Sequence, residues 1–318
     1  MKLQDRRIVV TGCAGFIASH LAEELLARGN EVVGVDNLSA GKREFMSSML
    51  ENDKFTFVEG DLRTMDLAKA LKGAEVVCHL AANPDVRLGA KNTHIHFEQN
   101  IEVTYRLLEA GKDNGIKDIL FPSTSTVYGE TEVIPTPENY GPLLPISVYG
   151  ASKLACEAMI SSYCHTFDQN AVIYRFANVV GPRSTHNVLH DFIRKLHEDP
   201  HHLEILGAEP GTSKSYVHVK DCVSGMIAGA ESAKDQVEIF NIGSRDWMTV
   251  KDIADIVVEE MHLPDVEYRW TGGVKGGRGW VGDVKKMLLA VDRLEARGWE
   301  PKLDSRHAIR RAVQEILA

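Results

Sequence analysis

The chain has 318 residues, 44% of them hydrophobic and 25% charged, an ordinary composition for a globular enzyme with a packed core and not that of a disordered or low-complexity protein. Its formal charge of −9 argues against a protein that coats nucleic acid, because phosphate contacts need a basic face. No apolar run approaches the roughly 20 residues of a membrane span, the charged opening segment reads as neither signal nor transit peptide, and five scattered cysteines without a C-x-x-C pair point to reduced thiols, so a cytoplasmic location is expected.

Residues 8–11 form a short apolar run ahead of a glycine-containing turn, and residues 17–28 carry a helical period that stops at Gly29. A second buried strand is expected at 31–36, with comparable runs at 55–59, 76–80, 119–123 and 171–176, and helical stretches at 67–71, 92–111 and 148–167. Strands alternating with helices in this way predict an α/β protein built on a parallel, doubly wound sheet. Beyond Pro182 the rhythm loosens into 192–197, a Gly/Pro-rich stretch at 207–211 and a Gly-rich tract at 272–282. This predicts a dinucleotide-binding domain over 1–182, with later segments free to return to it, and a smaller α/β substrate lobe mainly over 183–318. The clusters His94-Ile95-His96 and His201-His202 lack an acid or Cys partner at ligand spacing, so no metal is expected.

The turn Gly12-Cys13-Ala14-Gly15-Phe16-Ile17-Ala18 lies between the first strand and the first helix, where backbone must approach a diphosphate closely. Asp36 closes the second strand at the distance where a carboxylate accepts hydrogen bonds from an adenosine ribose and repels a 2′-phosphate, which favours NAD over NADP. Lys42 and Arg43 leave NADP open. Further on, Tyr149-Gly150-Ala151-Ser152-Lys153 puts a phenol and an ammonium one helical turn apart on the same face. A free tyrosine has a pKa of about 10, too high for a base at neutral pH, and a nearby cation favours its phenolate. Upstream, Phe121-Pro122-Ser123-Thr124-Ser125-Thr126-Val127-Tyr128-Gly129 ends a strand in a cluster of hydroxyls, some of which are expected to serve the local turn.

Together with Val35-Asp36-Asn37-Leu38-Ser39, Gly60-Asp61-Leu62, His79-Leu80-Ala81-Ala82 and Arg175-Phe176-Ala177-Asn178-Val179-Val180-Gly181-Pro182-Arg183, these segments resemble the extended short-chain dehydrogenase/reductases over nearly the whole chain. Within them, the sequence is similar to the nucleotide-sugar epimerases related to UDP-glucose 4-epimerase. The resemblance implies a Rossmann fold, catalysis by Thr124, Tyr149 and Lys153, and a cofactor site formed by Gly12, Gly15, Phe16, Ile17, Asp36, Asn37, Leu38, Ser39, Asp61, Leu62, Leu80, Ala81, Ala82, Asn100, Ser123, Tyr149, Lys153 and Phe176. It also implies that Thr124, Tyr149, Asn178, Val188, Lys214 and Arg278 meet a nucleotide-sugar substrate, with Phe192 and Leu206 as further candidates beside the base and Met287 near the position that gates sugar size. Similar dehydratases carry an Asp-Glu pair directly after the catalytic Thr, whereas Ser125-Thr126 stands here, which favours C4 epimerisation with bound NAD. The family pattern has an Arg-Asp where this chain reads Lys214-Ser215, and the distance from Arg278 to its Gly-Asp pair also departs from the pattern. A homodimer through 92–111 and 148–167 is the family expectation. Another nucleotide-sugar epimerase acting at C5, a 4-keto-sugar reductase, and an NAD-sensing regulatory protein without chemistry remain alternative readings.

Overall fold

Val9 and Val10 on β1 (Arg7–Thr11) and Val32, Val33 and Val35 on β2 (Glu31–Asp36) are all buried, although neighbouring residues point to opposite faces. That pattern demands helices on both sides of the sheet. The computed structural model describes residues 1–318 and extends these strands with β3 (Phe55–Glu59), β4 (Val76–His79), β5 (Asp118–Thr124) and β6 (Asn170–Phe176). Four short strands, β7 (Asn178–Val180), β8 (His202–Ile205), β9 (Ser213–Lys214) and β10 (Tyr216–His218), lie outside that sheet, and β11 (Val237–Ile242) returns to its edge. The order β11-β6-β5-β4-β1-β2-β3 is parallel throughout. The chain thus winds away in opposite directions from the β1/β4 junction, and it is outside the carboxyl ends of the strands at such a junction that open α/β sheets hold ligands.

One face of the sheet packs against α1 (Phe16–Ala27) and the helix Val219–Ser232, through Leu21, Leu25, Cys222 and Met226. The other packs against the helices Val103–Asp113 and Val148–Phe167, through Leu107, Leu108, Cys156 and Ile160. A third core joins the helices Val188–Glu198, Val250–Glu260 and Ser305–Leu317 around Leu189, Leu203, Ile253 and Ile309. Beside it, β12 (Met248–Thr249) and β14 (Lys286–Met287) flank β9, and β13 (Glu267–Trp270) pairs with β8. Residues 219–242 therefore belong to the large sheet and its helical layer, which Leu294 and Trp299 join, while most of the other segments after 183 build the smaller one.

The helix expected over 92–111 runs over 94–113 and is not regular throughout. A short turn at His94–His96 leads into a π-helical segment, Phe97–Glu102, before the regular helix Val103–Asp113 begins. Within the wide turn Asn100 is 2% exposed, and its amide accepts the Asn83 N–H at 2.7 Å and donates to Ser152 Oγ at 2.9 Å. Satisfying those buried partners costs the helix its regular hydrogen-bond ladder, and such bulges recur at functional sites for this reason. The Val148–Phe167 helix, by contrast, starts where the sequence predicts, with Ser147 Oγ accepting the Gly150 N–H at 3.0 Å, and it ends at Asp168 in a left-handed conformation.

Candidate active site

Gly12 has φ +71°, and a Cβ there would lie 2.9 Å from the Ala81 nitrogen. Glycine thus lets the turn after β1 rest directly on the turn after β4, at the junction where the winding reverses. Gly15 precedes α1 with no side chain to cap it, and no acidic residue occupies the first helical turn. The free N–H groups of Phe16 and Ile17 and the positive end of the helix dipole are therefore available to a diphosphate. Across the turn, Asp36 accepts the Ala14 N–H at 3.0 Å and the Leu38 N–H at 2.7 Å, and burial raises its carboxyl pKa. Asn37 Oδ1 accepts the Ser39 N–H at 3.1 Å and its hydroxyl at 2.7 Å, which shapes the chain just beyond. Lys42 and Arg43, the two cations that left a 2′-phosphate open, lie over the rings of Phe45 and Phe57. Asp61 is gripped by the Arg63 guanidinium at 2.7 Å, which holds its carboxyl down to about 2, while Leu62 beside it is buried. An uncapped helix end, a glycine turn and a strand-end carboxylate make a donor and acceptor set that fits a dinucleotide.

Thr124 ends β5 and caps the short helical turn Ser125–Tyr128: its Oγ1 accepts the Thr126 N–H at 3.2 Å and lies 3.1 Å from Thr126 Oγ1. Local turn duty thus accounts for part of the hydroxyl cluster. A Cβ on Gly150 would come within 2.8 Å of the Thr126 carbonyl oxygen, so glycine allows the first turn of the Val148–Phe167 helix to seat against that cluster. This contact delivers Tyr149 to Thr124. Burial pushes the Tyr149 phenol up to about 12, with Cys156 adding to the shift and the Thr124 hydroxyl opposing it. Burial likewise brings the Lys153 ammonium down to about 8, against the pull of Cys156 and Glu157. Lys153 Nζ sits 3.9 Å from the centre of the Phe121 ring and makes no hydrogen bond to the Tyr149 hydroxyl. In the protein by itself, then, burial outweighs the help that the one-turn spacing leads one to expect from the lysine.

Residues outside the Thr124/Tyr149/Lys153 set support this cluster. Glu157, one turn beyond Lys153, is 5% exposed and pairs with Arg175 of β6, itself 3% exposed, at 2.7 Å. Glu157 also accepts the hydroxyl of Ser123, the residue before Thr124. The Arg175 guanidinium stacks 4.7 Å from the centre of Tyr128, whose hydroxyl donates to Asn241 Oδ1 at 2.8 Å. His96, buried, sets its ring 5.7 Å from that of Tyr149. Arg175 and Tyr128 stand in the motif segments without an assigned role, and Glu157 was within reach of sequence reasoning, since 149, 153 and 157 continue one helical face.

The substrate-side candidates lie on the smaller layer. Asn178 opens β7, which pairs with Tyr216 of β10, and Val188 opens its helix against the third core. Lys214 and Arg278 are brought together around Asp283. The Lys214 ammonium bonds the Asp283 carboxylate, and Arg278 donates to the Asp283 carbonyl at 2.9 Å, the Lys275 carbonyl at 2.6 Å and Glu130 Oε1 at 2.6 Å. Phe192, at 3% exposure, packs into the third core. Met287 is buried with Val127, Tyr128 and Leu289, directly under the hydroxyl turn.

Fold and site together define a dinucleotide-dependent enzyme of the Rossmann type. Residues 8–243 match the NAD dependent epimerase/dehydratase family, and the chain belongs to it. A putative UDP-glucose 4-epimerase of Methanocaldococcus jannaschii is 30% identical over 96% of this chain and 97% of its own length. A crystal structure of a UDP-galactose 4-epimerase superposes with a TM-score of 0.85 at 41% identity, covering 97% of this chain and 98% of that one. The UDP-glucuronic acid 4-epimerase of Bacillus cereus, solved with UDP-glucuronic acid and NAD, superposes with a TM-score of 0.88 at 30% identity, covering 98% and 99%. The protein is similar throughout its length to NAD-dependent nucleotide-sugar 4-epimerases.

Proposed function

We propose that the protein is a UDP-sugar 4-epimerase of the UDP-glucose/UDP-galactose type, working by transient oxidation at C4 with NAD held in place. The observation that carries this reading is the convergence of Thr124, Tyr149 and Lys153 at the strand ends beside the dinucleotide turn, with hydroxyls rather than acids at 125 and 126. A dehydratase needs an acid and a base to expel water; this site has neither after Thr124. The α1 N-terminus and the Gly12–Gly15 turn would hold the diphosphate of NAD, and Asp36 its adenosine ribose.

Bound NAD⁺ supplies the hydride acceptor, and in reduced form the hydride donor, at sugar C4. Tyr149 takes the proton of the 4-hydroxyl as the C4–H bond breaks, leaving a 4-keto sugar. Thr124 orients that hydroxyl against the phenol. The Lys153 charge, together with that of the oxidised nicotinamide, offsets the burial that otherwise keeps the phenol protonated. The keto sugar then presents its other face, and Tyr149 returns the proton to the oxygen. Atoms and electrons balance without net use of cofactor, which separates this reading from a 4-keto-sugar reductase.

Lys214 and Arg278 attract the substrate diphosphate on the smaller layer, with Asn178 beside the sugar, and residues 183–318 supply most of this side of the cleft. Phe97, Tyr105 and Phe167 are 53%, 48% and 41% exposed, and this apolar exposure supports a homodimer through the helices that carry them; light scattering at micromolar concentration checks it, and a monomer contradicts it. The activity test incubates the protein, without added cofactor, with UDP-glucose, UDP-galactose, their N-acetyl counterparts and UDP-glucuronate, and follows C4 configuration by NMR. Interconversion of UDP-glucose and UDP-galactose is expected. Conversion of the uronate or N-acetyl pair alone reassigns the sugar, and no conversion of any of the five, with NAD⁺ added, contradicts the UDP-sugar reading.

A further inference from the structure

His79, the last residue of β4, is 1% exposed and takes no part in the reaction just described, yet both of its ring nitrogens are engaged. Nδ1 lies 2.8 Å from Thr11 Oγ1, and Nε2 lies 3.1 Å from Thr104 Oγ1. Counting protons orders these contacts. Thr104 has one hydroxyl proton, which goes to the Asn100 carbonyl at 2.7 Å, so towards His79 it accepts, and Nε2 carries the proton. On the other side Thr11 Oγ1 accepts the Ala81 N–H at 3.1 Å and spends its own proton on the unprotonated Nδ1. A second ring proton would place a charge in a buried site whose neighbour, Phe121, already carries the Lys153 ammonium on its face. Burial, with Lys153 adding to it, holds the His79 pKa down to about 3.

The chain therefore runs one way, from the Ala81 amide through Thr11 to His79, and from His79 through Thr104 to the Asn100 carbonyl. Its two ends are structurally loaded. Ala81 is the residue against which Gly12 closes, and Thr11 is the residue before Gly12. Asn100 in turn bonds Ser152, whose hydroxyl donates to the Tyr149 carbonyl at 2.7 Å. We propose that His79 is a positioning residue for the cofactor turn, fixed as the neutral Nε2–H tautomer, and that its two hydrogen bonds set the Gly12–Ala81 contact in register with the helix bearing Tyr149 and Lys153. The part of this that concerns NAD rests on the function proposed above; the tautomer does not.

Two measurements test it. In the ¹⁵N-labelled full-length protein, the His79 ring, assigned by its loss in His79→Gln, is expected to show a protonated Nε2, an unprotonated Nδ1 and no titration between pH 5.5 and 9. A protonated Nδ1, or a ring that titrates in this range, overturns the proposal. Equilibrium binding of NAD to refolded apo-protein is the second. His79→Phe, which can make neither bond, is expected to bind NAD about tenfold or more weakly, while His79→Gln, with an acceptor oxygen and a donor nitrogen, stays within about threefold of the parent. Equal binding by all three, or equal loss in both variants, overturns the positioning role. Should His79→Phe not fold, the spectrum of the parent protein still decides. A parent protein that binds no NAD, with the tautomer as stated, counts against the proposed function and not against the hydrogen-bond chain.

Discussion

Lys153 and Lys214 are both largely buried, and the protein treats them in opposite ways. Lys153 lies against an aromatic face with no carboxylate bonded to it, whereas Lys214 is tied to Asp283, whose side chain is 2% exposed. In the catalytic half, the negative charge nearest Lys153 on its own helix, Glu157, is consumed by Arg175 and Ser123. In the substrate layer, the cations are paired where they stand, Arg278 with Glu130, while its other donors go to two carbonyls. The difference separates two designs. On the function proposed above, the charge that acts on the reacting group is kept unpaired at the cost of a depressed pKa, while the charges that attract the diphosphate are held in ion pairs and would exchange partners when it arrives.

The largest effect is expected from disturbing the balance under the catalytic half. Glu157→Leu leaves Arg175 charged, buried and unpaired, and a loss of about 3–5 kcal/mol in unfolding free energy is predicted by denaturant titration. The double variant Glu157→Leu/Arg175→Met recovers most of that loss if the pair rather than packing is responsible. Tyr149→Phe removes the proton acceptor without touching the pair, so turnover drops roughly 10²-fold or more while melting temperature and NAD binding stay near those of the parent. Near-normal turnover contradicts the role given to the phenol.

The pH dependence sharpens the contrast between the lysines. The Lys153 ammonium, lowered by burial to about 8, is protonated below that pH and loses its charge above it. Once it is neutral it no longer offsets the buried phenolate, so kcat/KM is expected to fall as pH rises through about 8, and Lys153→Met should remove that limb. The smallest effect is expected in the substrate layer. Asp283→Asn releases Lys214 from its carboxylate partner, and a change of about twofold to fivefold in KM with little change in kcat is predicted.

Much of the sheet was legible because its signals are local. The strands at 31–36 and 55–59 and the helix at 148–167 keep their sequence-expected bounds, since apolar runs, Gly29 and the Ser147 cap act within a few residues. The sequence leaves open a return of later segments to the sheet but does not show that β11 makes it, because which strand pairs with the β6 edge is decided by packing over a long sequence separation. The π-helical segment at 97–102 hides for a similar reason: the partners that draw Asn100 inward, Asn83 and Ser152, are 17 and 52 residues away in the chain. In the site, the Tyr149/Lys153 spacing and the glycine turn were visible, whereas the Lys214–Asp283 tie, the Glu157–Arg175 pair and the His79 contacts exist only once distant elements meet.

The central claim is that a hydrogen leaves sugar C4 for the bound nicotinamide and returns to the same carbon on the other face. Its most direct test is one conversion in ordinary water of UDP-glucose carrying ²H at C4 and C5, with product analysis by NMR. The account predicts UDP-galactose with the label retained at C4, no solvent hydrogen acquired at C4 or C5, and no net change in absorbance from reduced cofactor. Loss of the C4 label to solvent, or exchange at C5, would contradict it.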